Sequence, residues 1–245
     1  MRVVAALIIA LQAAATFAAR ADIGVEHTRV VYKAGQSATN TRIWNKGQQT
    51  SLVQAWIDDG DDSAAPESLK VPFVVAPSVF RLEPGRSRDI VLRAIGGNSL
   101  PADRESVFWL NVLDVPARVP GAGGVSLDYA VRWRAKLFYR PSGLPGRADD
   151  AAGSLQWSIR EEADGGLHLI AHNPTPFHVS LDAVVLAERK LRPSAGGNLV
   201  HPLGEWSMPL EPADHGAKRV TSLQATWLDD AGKPHSREFS LVARP

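Results

Sequence analysis

Along most of this chain, apolar and polar residues alternate with a period of two, in short runs rich in β-branched and aromatic side chains. Residues 24–32, 39–44, 51–57, 89–94 and 107–112 are such runs. A longer one, 125–140, follows, in which Leu127, Tyr129, Val131, Trp133 and Ala135 alternate with Asp128, Ala130, Arg132 and Arg134. Period-two alternation marks strands with one buried face. Clusters of turn formers separate the runs: Lys33-Ala34-Gly35, Asn45-Lys46-Gly47, residues 58–62, Pro84-Gly85 and Gly96-Gly97-Asn98. No amphipathic helix of about ten residues interrupts this half. Strands at roughly ten-residue spacing predict a β-sandwich of immunoglobulin type. Residues 142–150 then turn polar and rich in Gly, Pro and Asp, as an interdomain linker does. Further strand-like runs at 155–159, 167–172, 178–186, 220–228 and 237–242 predict a second, smaller β-domain. The fold class is therefore all-β, two tandem immunoglobulin-like sandwiches: residues 22–141, a linker over 142–150, and residues 151–245.

The N-terminus changes the picture of where the chain works. Met1-Arg2 is a short positive segment, residues 3–11 are almost unbroken apolar, and Ala19-Arg20-Ala21 has the small-residue spacing of a cleavage site. Residues 1–21 read as a secretory signal peptide cut after Ala21. The apolar core is too short to cross ~30 Å of hydrocarbon, and no later stretch approaches ~18 apolar residues, so no membrane insertion is expected. Cleavage removes two arginines and no acid, taking the formal charge from +1 to −1. A nearly neutral chain lacks the basic field of a nucleic-acid binder. There is no cysteine. Secretion permits disulfides, but this fold must rest on hydrophobic burial.

Catalytic and metal chemistry find little footing. Residues 58–62 hold four aspartates around Gly60, but their spacing lacks the closing Glu of a calcium loop, so they read as a solvated turn. His168 and His172 are four apart on an expected strand, not a helix. There is no G-x-S-x-G elbow, dinucleotide fingerprint or phosphate loop. Trp44, Trp56, Trp109 and Trp133 fit sandwich cores and strand faces, since no basic track accompanies them. Neither an enzyme nor a cofactor is expected. On pattern alone, a secreted two-domain adhesin or carbohydrate-binding module stays open, because fold does not give function.

Five strings carry more information. They are Thr28-Arg29-Val30-Val31-Tyr32; Pro77 followed by Phe80-Arg81-Leu82-Glu83-Pro84-Gly85; Leu100-Pro101-Ala102-Asp103-Arg104-Glu105-Ser106-Val107-Phe108-Trp109-Leu110-Asn111; Lys136-Leu137-Phe138-Tyr139-Arg140-Pro141; and His172-Asn173-Pro174-Thr175-Pro176-Phe177. In this order they resemble the periplasmic pilus (fimbrial) chaperones of the chaperone–usher pathway. The resemblance implies two sandwiches at an angle, a boomerang with an interdomain cleft. It also implies a protein that binds, folds and caps pilin subunits by lending them a strand, then delivers them to an outer-membrane usher. Arg29 and Lys136 match the cleft pair that anchors a subunit's C-terminal carboxylate. Val125, Leu127, Tyr129 and Val131 match the donor-strand residues that fill the pilin's groove, although Tyr129 departs from an aliphatic pattern. Glu105, Arg140 and Asp229 (beside Asp230) match charges that link the domains. The short loop 117–124 resembles the class serving rod-like or adhesive pili. Lys136 falls on the opposite strand face from Leu127, Tyr129 and Val131, so a bulge or a change of sheet partner is expected between them. An uncovered apolar strand edge also predicts a homodimer when no client is bound.

Overall fold

The computed structural model of the protein describes residues 22–95, 100–116, 130–194, 196–211 and 220–242. The first half carries β1 (Ile23–Val25), β2 (Arg29–Lys33), β3 (Thr39–Asn45), β4 (Ser51–Asp58), β5 (Phe73–Ala76), β6 (Val79–Leu82), β7 (Ser87–Ala94), β8 (Ser106–Pro116) and β9 (Val131–Arg140). Strands β2-β9-β8-β4-β6 form one sheet and β1-β3-β7-β5 the other. Alternation along each strand turns Val53, Ile57, Leu110, Val112 and Leu137 of the first sheet onto Ile43, Ile90 and Leu92 of the second. All are nearly inaccessible, and each such side chain contributes about 1.5–3 kcal/mol of burial. The expected strand over residues 24–32 is in fact two. The polar Glu26-His27-Thr28 step lets the chain leave the four-stranded sheet after β1 and enter the five-stranded one as β2, as strands do at sandwich corners.

The second half carries β10 (Gln156–Glu161), β11 (Leu167–His172), β12 (Val179–Leu186), β13 (Arg189–Leu191), β14 (Leu199–Val200), β15 (Glu205–Leu210), β16 (Ser222–Leu228) and β17 (Pro234–Ser240). Sheet β10-β11-β15 faces sheet β13-β12-β16-β17, with β14 also on β12. Trp157, Leu169, Leu181 and Val184 lie at the centre of this core. A register shift between Leu181 and Ala183 lets Val179 and Leu181 on one side of it, and Val184 and Leu186 on the other, all point inward. Part of the expected linker is structured: Ala148–Ala151 forms a single helical turn, and Leu144, Ala148 and Ala151 pack on the second core.

One expectation needs correction. Asp58 is not solvated. It is 1% exposed, and its carboxylate accepts hydrogen bonds from Asn111 Nδ2 (2.6 Å), Arg134 Nη2 (2.6 Å) and the Gly60 N–H (2.8 Å). Cross-strand pairing of Asp58 with Trp109 brings it there, with Arg134 over the Trp109 ring. Only Asp59, Asp61 and Asp62 face water. The four singled-out tryptophans lie on strand faces, partly or well exposed, while Trp157 and Trp206 fill the core.

Candidate functional site: the cleft between the domains

β2 pairs in parallel with the C-terminal half of β9, and the register sets Arg29 directly beside Lys136. Paired residues share a face of the sheet. Val30, Tyr32, Ala135 and Leu137 take the core face, so Arg29 and Lys136 are turned outward, toward the second domain. That domain covers them. Arg29 is 7% exposed and Nη1 donates to the Leu228 carbonyl at 3.0 Å. Lys136 Nζ donates to Asn198 Oδ1 at 2.6 Å. Burial, reinforced by the Arg29 charge, lowers the Lys136 pKa to about 8. Burial also lowers that of Arg29, against the pull of Asp230 and Asp229. Two desolvated cations side by side can receive an anion through charge-assisted hydrogen bonds.

A cavity of about 290 Å³ opens beside Arg29, lined by Phe138, His178, Ser180, Trp227 and Asp230 among others. Arg29 also borders a wider cleft of about 810 Å³ toward Lys33, Arg140 and Arg147. The bottom of the interface is a buried charge cluster. Glu105, 3% exposed, accepts from Arg140 Nε at 2.5 Å and from the His178 backbone N–H at 2.8 Å, with the His178 ring 3.3 Å away. Burial would raise the Glu105 pKa, but the His178 hydrogen bonds and Arg140 outweigh it and hold it down. The His178 ring, itself 2% exposed, is kept below the usual histidine range by burial. It packs on Phe138 at 5.3 Å and His201 at 5.4 Å.

From Val131 to Tyr139, β9 pairs with β8 in an unbroken register. No bulge separates Val131 from Lys136, and they stand on opposite faces. Val131 shares its face with Ala135 and Leu137, so the apolar stripe prolongs the domain's own core face. The partner does change along β9: β2 covers residues 136–140, and among the described residues no strand pairs with that side of 131–135. Val125, Leu127 and Tyr129 lie outside the described residues.

Comparison with known proteins decides what this cleft belongs to. The model "Pili and flagellar-assembly chaperone, PapD N-terminal domain" matches residues 22–145, and "Pili assembly chaperone PapD, C-terminal domain" matches residues 150–239. The chain is 40% identical to the chaperone protein FimB/FhaD of Bordetella pertussis, over 94% of this chain and 92% of that protein. The chain belongs to the pilus-assembly chaperones. Among solved structures it is similar to the Escherichia coli YadV chaperone (TM-score 0.73, 33% identity, 90% of this chain and 100% of that one). It also resembles the chaperone in the Salmonella enterica SafA pilin–SafB chaperone complex (TM-score 0.74, 25% identity, 89% and 96%).

Within this pilus chaperone the expected charge set is corrected at one position. Arg140 joins Glu105 to Asp230, not to Asp229: Nη1 and Nη2 donate to the two Asp230 carboxylate oxygens at 2.8 and 3.0 Å. Asp229 is occupied within its own turn, accepting from the Ala231 and Lys233 N–H groups at 2.9 and 2.8 Å and pairing with His235 at 2.7 Å. Gly232, at φ +79, closes that turn and leaves Asp230 pointing outward. The doubled aspartate signalled a charge here but not which residue faced the first domain. Sequence reasoning missed His178 and Asn198 altogether. His178 directly follows the Asn173–Phe177 string, which was the one available signal; Asn198 gave none.

Arg140→Ala should be the most damaging change in this cluster. It leaves a buried carboxylate short of its cation, at about 3–5 kcal/mol. Asp230→Asn, at an exposed partner, should cost only ~0–1 kcal/mol, and Asp229→Asn should leave the domain link intact. Thermal melts of the three variants test this order; equal losses for Asp229→Asn and Arg140→Ala would refute it.

Proposed function

We propose that this chaperone works in the periplasm, exported by residues 1–21, and caps pilin subunits by donating β9 as a strand. The observation that carries the reading is the register pair Arg29–Lys136. It lies in the interdomain cleft at the point where β2 stops covering β9, with Arg29 buried and Lys136 partly so. A client strand entering there places its C-terminal carboxylate between two cations, which fixes its register. Its backbone then pairs along the open edge of β9, the donor-strand form of β-augmentation. By the family resemblance, Val125, Leu127, Tyr129 and Val131 are the side chains that fill the pilin's groove. Binding, release and transfer involve strand exchange and require no covalent step. Delivery to an outer-membrane usher needs a second surface. On the outer face of the five-stranded sheet, Leu52 and Val115 pair across strands with Val79 diagonal to them, exposed by 45, 40 and 53%. Such a patch suits a protein contact. We place the domains at 22–141 and 151–245, joined by 142–150, whose last residues enter a helical turn packed on the second core.

Purification from periplasm with the pilus operon expressed tests the reading. A pilin bound in one-to-one ratio, lost on adding a peptide of the next subunit's N-terminal extension, is expected. A protein that instead retains a glycan column and no pilin is an adhesin. The free chaperone is expected to dimerise through the edge of residues 125–134, since a bare apolar edge invites pairing. Sedimentation at tens of micromolar should give a dimer that a pilin C-terminal-strand peptide converts to a one-to-one complex. A strict monomer would end that proposal.

A further inference from the structure

Lys136 carries three ammonium donors on a flexible stem, and a site for a chain terminus needs that stem held still. Among the described residues its hydrogen-bond partner is the Asn198 side chain, at 2.6 Å. Asn198 comes from the other domain and is itself fixed twice at the β12 register shift. Its main-chain oxygen accepts from the Leu181 N–H at 2.8 Å, and its Nδ2 donates to the Leu181 carbonyl at 2.9 Å. The Leu181 side chain is fully buried in the second core. With Nδ2 committed to a carbonyl, Oδ1 has to face the ammonium.

We propose that Asn198 is a positioning residue of the carboxylate site, holding Lys136 with a neutral acceptor so that the cleft keeps its full positive charge for the client. The proposal rests on the reading that Arg29 and Lys136 receive a C-terminal carboxylate. An amide oxygen takes one of three donors and no charge. An aspartate in its place would be a resident counter-ion, and an incoming carboxylate would meet a second anion at the same ammonium. The other groups facing Lys136 do not fill that role. Arg29 on β2 is a cation, and His178 and His201 across the interface both feel Lys136 as a repelling charge. Glu105, beyond His178, is already taken up by Arg140 and the His178 N–H. Contact with Asn198 also ties the lysine to the second domain, so the site exists only when the two domains are in register.

The test uses the intact chaperone and a peptide copying the C-terminal strand of its co-purified pilin, made as free acid and as terminal amide. Wild type is expected to prefer the acid by about 30-fold or more. Asn198→Ala, which frees the stem but adds no charge, should weaken acid binding by roughly two- to tenfold and keep the preference. Asn198→Asp should reduce the preference to a few-fold or less. It should also move the Lys136 pKa, followed by NMR of the side-chain nitrogen, upward from about 8 toward the ordinary lysine value. A purely structural role for Asn198 would move neither the acid preference nor that pKa in this direction. Asn198→Gln, neutral and still an acceptor, should retain the preference, and it substitutes as the comparison if Asn198→Ala unfolds. If wild type discriminates and Asn198→Asp does so equally, the role of Asn198 is overturned and the carboxylate site stands. If wild type binds acid and amide alike, the carboxylate reading itself fails, and this inference with it.

Discussion

Lys136→Ala and Arg29→Ala are expected to give a folded, secreted chaperone that no longer holds its pilin. Each removes one of two charge-assisted donors from a buried carboxylate, a loss of about 2–5 kcal/mol, or roughly 30- to several-thousand-fold in affinity. Folding should survive because neither residue fills the core: the apolar neighbours Val30, Ala135 and Leu137 do that. Circular dichroism and client pull-down on each variant give the answer, and full client recovery with Lys136→Ala would end the anchoring role. The wild type carries a matching pH signature. In the proposed site a client carboxylate binds the ammonium form of Lys136, whose pKa in the free protein is about 8, and the bound carboxylate raises it. Affinity should therefore be constant below about pH 7 and fall as pH rises through about 8, by up to tenfold per unit. For the free protein alone the sign is opposite. Keeping Lys136 charged in the fold is a cost present below about 8, and it is relieved as pH climbs toward the ordinary 10.5. Client affinity that stays level to pH 10 would contradict the role of Lys136.

Leu127→Asp and Val131→Asn should each abolish client stabilisation while hardly changing the melting of the free chaperone. A charged or amide side chain entering an apolar groove without a partner costs several kcal/mol for the carboxylate and about 1–3 kcal/mol for the amide. Asparagine is the better probe at 131. Asp114 lies directly across the strand pair, and burial already pushes its carboxyl pKa up, so an aspartate there would add repulsion unrelated to the client. Val131 is only partly covered in the free protein, and such positions usually shift stability by no more than ~0.5 kcal/mol, about 2 °C for a chain of this size. A melting drop many times larger for Val131→Asn would place Val131 in the chaperone's own core and remove it from the donor stripe.

Alternation made the sandwich strands legible because a period of two is a local property: each residue of β4, β8 and β9 declares its face independently of what lies opposite. Family strings made Arg29, Lys136, Glu105 and Arg140 legible in the same way, as fixed residues on recognisable strands. Short strands such as β5, β13 and β14 were missed, since a few residues carry too little periodicity to separate from a loop. The split of residues 24–32 was missed because a change of sheet leaves both halves with the same local pattern.

The sequence by itself determined that the chain is all-β, that two cores are present, and that a lysine breaks the apolar close of the long strand. Local spacing and composition suffice for each of these. Only the tertiary structure decided which charges meet. Asp229 and Asp230 are indistinguishable neighbours until a turn closed at Gly232 consumes one carboxylate and aims the other at Arg140. Asn198 is an ordinary loop amide until the second domain folds and docks it on Lys136, 62 residues away in the chain. Nor does the strand pattern reveal that Lys136 is partly buried beside Arg29, because desolvation depends on what the other domain covers. Interactions across a domain interface depend on distances that the chain's own order does not encode.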